Sequence, residues 1–348
     1  MKEVITGIQQ VGIGVSDANE AKHIYKDLFG MNVLIFDDKS PATLMMQYTG
    51  NKIHNRHAIL SMNLSGGGGF EIWQFTSAKP RLQPFPNFGD IGIFSVKIKS
   101  QNVQAAHQHF SRKNNIIVSG LMKSYDDRSH FWLTDDYGNN FNIIEGDEWF
   151  HSNNHVCGGV AGAVIGVTDM DKAVEFYKNV LGINELIYDS ADYVADIPEP
   201  KYKNVRRVLL KKRQSCIGAF GKLLGAVQVE LVQVLHHPQK KLFQDRFWGD
   251  CGFIHLCFDV LNMDELKNKF ESKGFIFSVD SKDSYSMETS EGRFCYVEDP
   301  DGTLIELVET HKVPILKKFG WHLDLRKRKN DGPLPDWMIK ILGFNKIK

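Results

Sequence analysis

No run of 18 apolar residues occurs in this 348-residue chain, which excludes a spanning helix from the expected structure. There is no surplus of charge either: 42 Lys and Arg stand against 42 Asp and Glu. That balance removes any general electrostatic reason to bind nucleic acid or an anionic membrane. The opening MKEVITGIQQVG has no apolar segment of signal-peptide type. Cysteine is scarce, and Cys157, Cys216, Cys251, Cys257 and Cys295 form no CxxC pair. A disulfide framework is excluded, and reduced thiols in a cytoplasmic protein are expected. The run Ser65-Gly-Gly-Gly-Gly69 lacks the Lys-Ser/Thr and helix of a phosphate loop. It reads instead as a flexible hairpin between strands.

What is present is repetition. Apolar residues at 42% and charged residues at 24% mark a folded chain, long enough for two domains. The segment Val15–Gly30 (VSDANEAKHIYKDLFG) matches Val167–Gly182 (VTDMDKAVEFYKNVLG) at a constant offset of 152 residues. In both, an apolar strand ends at the Val, and an Asp two residues on caps a helix. Ala21, Ile24, Tyr25 and Leu28 share one helical face, and Gly30 supplies a left-handed C-terminus. A second repeat relates Phe110–Ile116 to Phe270–Ile276, and Asp135–Asn142 (DDYGNNFN) to Asp299–Glu306 (DPDGTLIE). Each D-x-x-G is a turn between strands. Four units follow, at about 5–80, 88–148, 156–237 and 250–310, each a strand, a helix and three further strands. Residues 1–150 form one half, 151–310 the other, and 311–348 a basic extension. The fold class is α+β: four βαβββ units forming two half-open barrels of mixed or antiparallel sheet with helices outside. The concave faces are the natural ligand clefts.

The patterns VxDxxxAxxFYxxxLG and DPDGxxIE resemble the vicinal oxygen chelate superfamily of glyoxalase I, bleomycin-resistance proteins and extradiol dioxygenases. The likeness spans about 300 residues and is more specific for fold than for reaction. It implies a metal ligand on the first strand of a unit, five residues before its last Val. It implies another on the last strand, four residues after the turn glycine. Those positions are Gln10 and Glu71 in unit one, and Ile93 and Asn142 in unit two. They are Gly162 and Glu230 in unit three, and His255 and Glu306 in unit four. If units one and four share a barrel, Gln10, Glu71, His255 and Glu306 make the complete Gln/Glu/His/Glu set of glyoxalase I enzymes. Units two and three then hold a dead site. If sequence neighbours pair, neither site is complete. The first pairing is preferred because it gathers every good ligand in one place.

Such a quartet suits one divalent ion, Zn, Ni, Co, Mn or Fe, with open positions. The resemblance then implies a glyoxalase-like lyase or isomerase, working by proton abstraction and a metal-bound enediolate on a small oxygenated substrate. Glu306 is the base and Glu71 its counterpart. A non-catalytic binding protein of the bleomycin-resistance type is the alternative. An extradiol dioxygenase is disfavoured, because it needs a second His where Gln10 or Gly162 stands. The glutathione anchors of glyoxalase I are replaced by Gly14, Phe75 and Cys251, which argues for a less anionic substrate. Trp73, Phe75 and Phe253 are expected to line an apolar pocket. The partner is a small molecule, with no nucleic acid and no membrane. After residue 311 the tail carries ten Lys or Arg and three Asp. Arg326–Lys329 reads as a solvated turn, and Trp337, Ile339 and Leu342 form the docking face of a short helix.

Overall fold

A computed structural model of the chain describes residues 5–152, 155–283, 285–328 and 331–348. The α+β class and the four βαβββ units stand. Asp17 accepts the backbone N–H groups of Asn19 and Glu20 and opens the helix Ala18–Phe29, which Gly30 closes at φ 66°. Ala18, Ala21, Tyr25, Leu28 and Phe29 form its buried face. In unit three Asp169 caps Met170–Val174, but the helix then widens to π geometry over Glu175–Val180.

The strands assemble into two curled sheets. The first runs Phe277–Asp280, Ser290–Glu298, Leu304–Leu316, Gly252–Val260, then Ile5–Gly14, Gly69–Phe75, Asn55–Met62 and Val33–Pro41. It therefore joins unit four to unit one. The second runs Glu185–Ala191, Val205–Lys212, Val227–Val234, Cys157–Val167, then Gly92–Ser100, Asn140–Glu145, Ser129–Thr134 and Ile117–Val118. It joins unit three to unit two. Each junction is an antiparallel pair of opening strands. Each sheet takes one unit from each half of the sequence.

A tyrosine–aspartate tie that occurs twice crosses between the sheets. The Tyr25 hydroxyl of unit one donates to Asp135 of unit two at 2.9 Å. The Tyr177 hydroxyl of unit three donates to Asp299 of unit four at 2.8 Å. Both aspartates open the D-x-x-G turns. One oxygen of each accepts two backbone N–H groups of its own turn, and the other takes the tyrosine. The repeat motifs at either end of a sequence half are thus partners in space.

The glycine run departs from the flexible hairpin expected of it. It does connect two strands, Asn55–Met62 and Gly69–Phe75, but it is buried. Gly67 donates to the Leu223 carbonyl, and Gly68 exchanges hydrogen bonds with Val160. A Cβ on Gly67 would stand 2.7 Å from the Gly159 backbone, at φ 104°. Glycine is needed because two backbones touch there. The last strand of unit four runs on to Leu316, and Trp321–Asp324 turns back onto it. The chain end then pairs with unit one, where Leu34 donates to Asn345 and Ile347 to Asn32. Ile339 and Leu342 are buried, whereas Trp337 is exposed and stacks on Trp321. Arg326 and Lys327 pair with Asp324; Lys329 lies outside the described residues. Among the described residues no helix is long and apolar enough to cross a membrane.

Tyr25→Phe leaves Asp135 buried with its turn bonds intact but its cross-sheet donor gone. The expected loss is about 1–3 kcal/mol of unfolding free energy, read from the urea midpoint, with secondary structure unchanged by circular dichroism.

Candidate metal centre

Four neighbouring strands at the junction of the first sheet set out one polar cluster. Gly12 pairs with His255 on one side and with Glu71 on the other. Gln10 pairs with Cys257, and Cys257 with Glu306. The four predicted residues, contributed by units one and four, converge on the concave face, and all are buried. His255 Nε2 lies 3.3 Å from Glu71 Oε2 and 3.1 Å from Glu306 Oε2. Gln10 Nε2 is 3.3 Å from the same two oxygens. One donor atom each from Glu71, His255 and Glu306 falls within 4.8 Å of the others.

Gly12 makes room for this. A Cβ there would stand 2.3 Å from His255 Cε1. On the far side of the ring, the Tyr296 hydroxyl lies 3.3 Å from Nδ1. Trp248 stacks on the imidazole at 6.2 Å between centroids and packs on Trp73 at 4.1 Å. Burial alone would lower the His255 pKa, but Glu306 and Glu71 prevail and hold it up at about 9. Burial likewise works to raise the Glu306 pKa, and His255, Cys257 and Tyr296 together bring it down.

The cluster is short of positive charge. No described Lys or Arg forms an ion pair with Glu71 or Glu306, and His255 supplies at most one positive charge to two buried carboxylates, a costly imbalance. Gln10 Oε1 is buried without a hydrogen-bond partner. A half turn of the Gln10 amide exchanges its oxygen and nitrogen at no steric cost. Two carboxylates, one amide oxygen and one imidazole could then hold a divalent cation, whose charge the carboxylates balance. The donor set fits the ion implied by the resemblance.

The neighbouring cavity differs from the expected one. It measures about 120 Å³ and opens on Gln10, Glu71 and Glu306. Trp73 and Phe75 do not line it; they pack in the cluster around Trp248. Phe253 does not line it either. A shift in strand register beside Gly12 and Ile13 turns Phe253 to the opposite face, onto Phe141 of unit two at 5.5 Å. Of the positions matching glutathione anchors, Gly14 could carry no side chain, since its Cβ would sit 1.9 Å from the Asp250 carbonyl.

The second sheet builds the corresponding cleft differently. Lys97 pairs with Asn142 there as Cys257 pairs with Glu306. By that register Ser95, and not Ile93, matches His255; Ile93 is a core residue. Lys97 Nζ stands 2.8 Å from Glu230 and 3.2 Å from the Asn142 carbonyl oxygen. Arg207 bridges Glu230 and Asp196, and the Tyr188 hydroxyl donates to Glu230 at 2.9 Å. Burial pushes the Glu230 pKa up, but Arg207 and Lys97 hold it well below the usual carboxylate range. This cleft carries its cations on its own side chains. The signal for it in the sequence was the pair of lysines in Val96-Lys-Ile-Lys99, on a strand otherwise apolar.

Residues 154–307, which span units three and four, match the sequence model of the Glyoxalase/Bleomycin resistance protein/Dioxygenase superfamily. The second half of the chain is therefore similar in sequence to that superfamily. Solved structures share the fold over most of the chain. A candidate dioxygenase from Bacillus subtilis subsp. subtilis str. 168 is 14% identical, over 88% of this chain and 86% of its own, with a TM-score of 0.57. Glyoxalase I from Zea mays is 12% identical, over 87% of this chain and 92% of its own, with a TM-score of 0.52. At these identities the likeness is one of fold. No curated protein matches the chain in sequence.

Lys97→Met removes one of the two cations facing buried Glu230. The expected cost is about 3 kcal/mol, and adding Glu230→Gln should recover part of it. Urea unfolding of the single and double variants measures both.

Proposed function

We propose that the protein is a metal-dependent lyase or isomerase that moves a proton at a carbon next to a carbonyl. One observation carries this reading: two buried carboxylates and an imidazole converge at a cavity, and no Lys or Arg among the described residues forms an ion pair with either carboxylate. Gln10, Glu71, His255 and Glu306 would hold a single divalent ion, Zn, Ni, Co, Mn or Fe. Such an ion supplies Lewis-acid polarisation of substrate oxygens and makes the adjacent C–H acidic.

The chain's own groups do the rest. Glu71 and Glu306 both face the cavity, so a carboxylate oxygen of either is placed to accept a proton from a bound carbon. Returned to the neighbouring carbon, with the hydroxyl proton passing to the former carbonyl oxygen, that proton completes an isomerisation with no other reactant. Glu306 is the proposed base: His255, the Cys257 thiol and the Tyr296 hydroxyl keep its carboxylate ionised and so able to take a proton. Tyr296 also fixes the His255 ring, as a partner on the second ring nitrogen does for a ligating histidine. The apolar cavity wall keeps water from the reacting carbon. The partner is a small molecule, not a nucleic acid or a membrane. Cys157, Cys251, Cys257 and Cys295 are buried free thiols, which supports the cytoplasmic location.

A second reading, sequestration of a small molecule without chemistry, is favoured by the apolar lining alone. The two separate cleanly. Elemental mass spectrometry of the purified chain should find about one divalent ion per chain. His255→Ala and Glu306→Gln should lose most of it, as should Gly12→Ala, which changes no donor atom but displaces the imidazole. The loaded protein should exchange the α-proton of an α-hydroxy carbonyl compound in D₂O. Any metal retained by Glu306→Gln should leave exchange slower by roughly 10²-fold or more. Absence of metal after incubation with all five ions would overturn the reading. Metal without exchange on any such compound would leave a binding protein.

A further inference from the structure

The cavity beside the cluster identifies the kind of substrate the cluster can reach, and this inference rests on the function proposed above. Ile35, Leu60 and Met62 of unit one form one wall. Leu223 and Leu224, on the short helix Gly221–Leu224 of unit three, form a second. Leu342 of the C-terminal extension closes the space. All six are buried. Lys312 is the one cation among the lining residues, and it stands 2.8 Å from Glu291, its ion-pair partner. Every other charged group lining the cavity is a carboxylate: Glu71, Glu291 or Glu306.

Size and charge both constrain the occupant. An apolar protein cavity of roughly 150 Å³ takes up a single benzene, and this one measures about 120 Å³. A ring or a branched alkyl group fills that space. With Lys312 already paired and Glu71 and Glu306 at the inner end, the cavity offers no unpaired cation to an anionic tail, whose desolvation would be poorly compensated. We infer that the cavity selects a compact, uncharged apolar group, of phenyl size, attached to a head bearing two adjacent oxygens. On this basis Leu223, Leu224 and Leu342 determine specificity, while the cluster handles the head. The substrates are apolar α-hydroxy or α-oxo carbonyl compounds, not peptide thiol adducts.

Hydroxamates hold the two-oxygen head constant while the tail varies. Titration calorimetry on the zinc-loaded full chain should show benzohydroxamate binding at least tenfold more tightly than acetohydroxamate. A para-carboxylate on the ring should cancel that gain. Leu224→Ala should shift preference by tenfold or more toward 2-naphthohydroxamate, a gain that a merely destabilised variant would not show. Equal binding of the benzo and aceto compounds would overturn the inference while leaving the metal reading intact. The metal-free chain provides the converse control through benzyl alcohol, followed by ligand-observed NMR. Saturable binding of benzyl alcohol but not glycerol would uphold the apolar cavity even if the metal reading fell. Binding of neither, with no tail preference in the loaded chain, would overturn it.

Discussion

The antiparallel pairing of Ile5–Gly14 with Gly252–Val260 is the contact on which the site depends. Across it Gln10 and Glu71 meet His255 and Glu306, from opposite ends of the chain. Neither unit alone has more than half of the donors, and neither curved sheet of four strands could cover its own apolar face. Chain closure over such a separation is slow and entropically expensive. The Tyr25–Asp135 and Tyr177–Asp299 bonds offset part of that cost by fastening sequence neighbours to each other across the two sheets. The site is therefore a property of the whole fold, and disturbing a distant tie acts on it through the junction.

The two clefts show how one scaffold meets the same electrostatic demand in two ways. In the second sheet a carboxylate at the position of Glu71 survives burial because Lys97 and Arg207 lie against it. Glu71 and Glu306 have an imidazole instead, and His255 offers at most a single charge. Opposite charges attract most strongly where water is absent, so a cleft with two carboxylates and one imidazole calls for a further cation. In the second cleft that demand is already met by covalently attached groups. Lys97 occupies the register position of Cys257, so a single residue type there decides between an internal ammonium and room beside Glu306.

Much of this was legible in the sequence, and the rest was hidden for identifiable reasons. Strand ends and turn glycines repeat at fixed spacing, so counting from Val15, Val260 and Gly302 located Gln10, His255 and Glu306 without any knowledge of packing. The cavity walls could not be counted in this way. Phe253 obeys strand alternation until the register shift beside Gly12 and Ile13 reverses its face, and such a shift leaves no mark in the pattern of residues. Ile93 was misplaced by two positions because the count ran from Ile98, whereas the opening strand of unit two continues to Ser100. Leu223, Leu224 and Leu342 lie outside the repeat that guided the reading. The four glycines were read as loose because local composition carries no information about a second backbone pressed against them.

Those same hidden elements explain why the cavity exists. A half-open barrel must cover its concave apolar face with something. In the second sheet the cleft is filled by the ion network of Lys97, Arg207, Asp196 and Glu230, leaving little space. In the first sheet the cover comes from two segments outside units one and four, the helix at Gly221–Leu224 and the C-terminal extension. Each is fixed by backbone hydrogen bonds: Gly67 to Leu223 for one, Leu34 to Asn345 and Ile347 to Asn32 for the other. The cavity is the space these two covers leave between them. Its shape is consequently set by side chains that contribute nothing to the donor cluster. Substitutions in the covers can redirect the ligand tail while the strands that hold Gln10, Glu71, His255 and Glu306 remain as they are, which separates selectivity from chemistry in the fold itself.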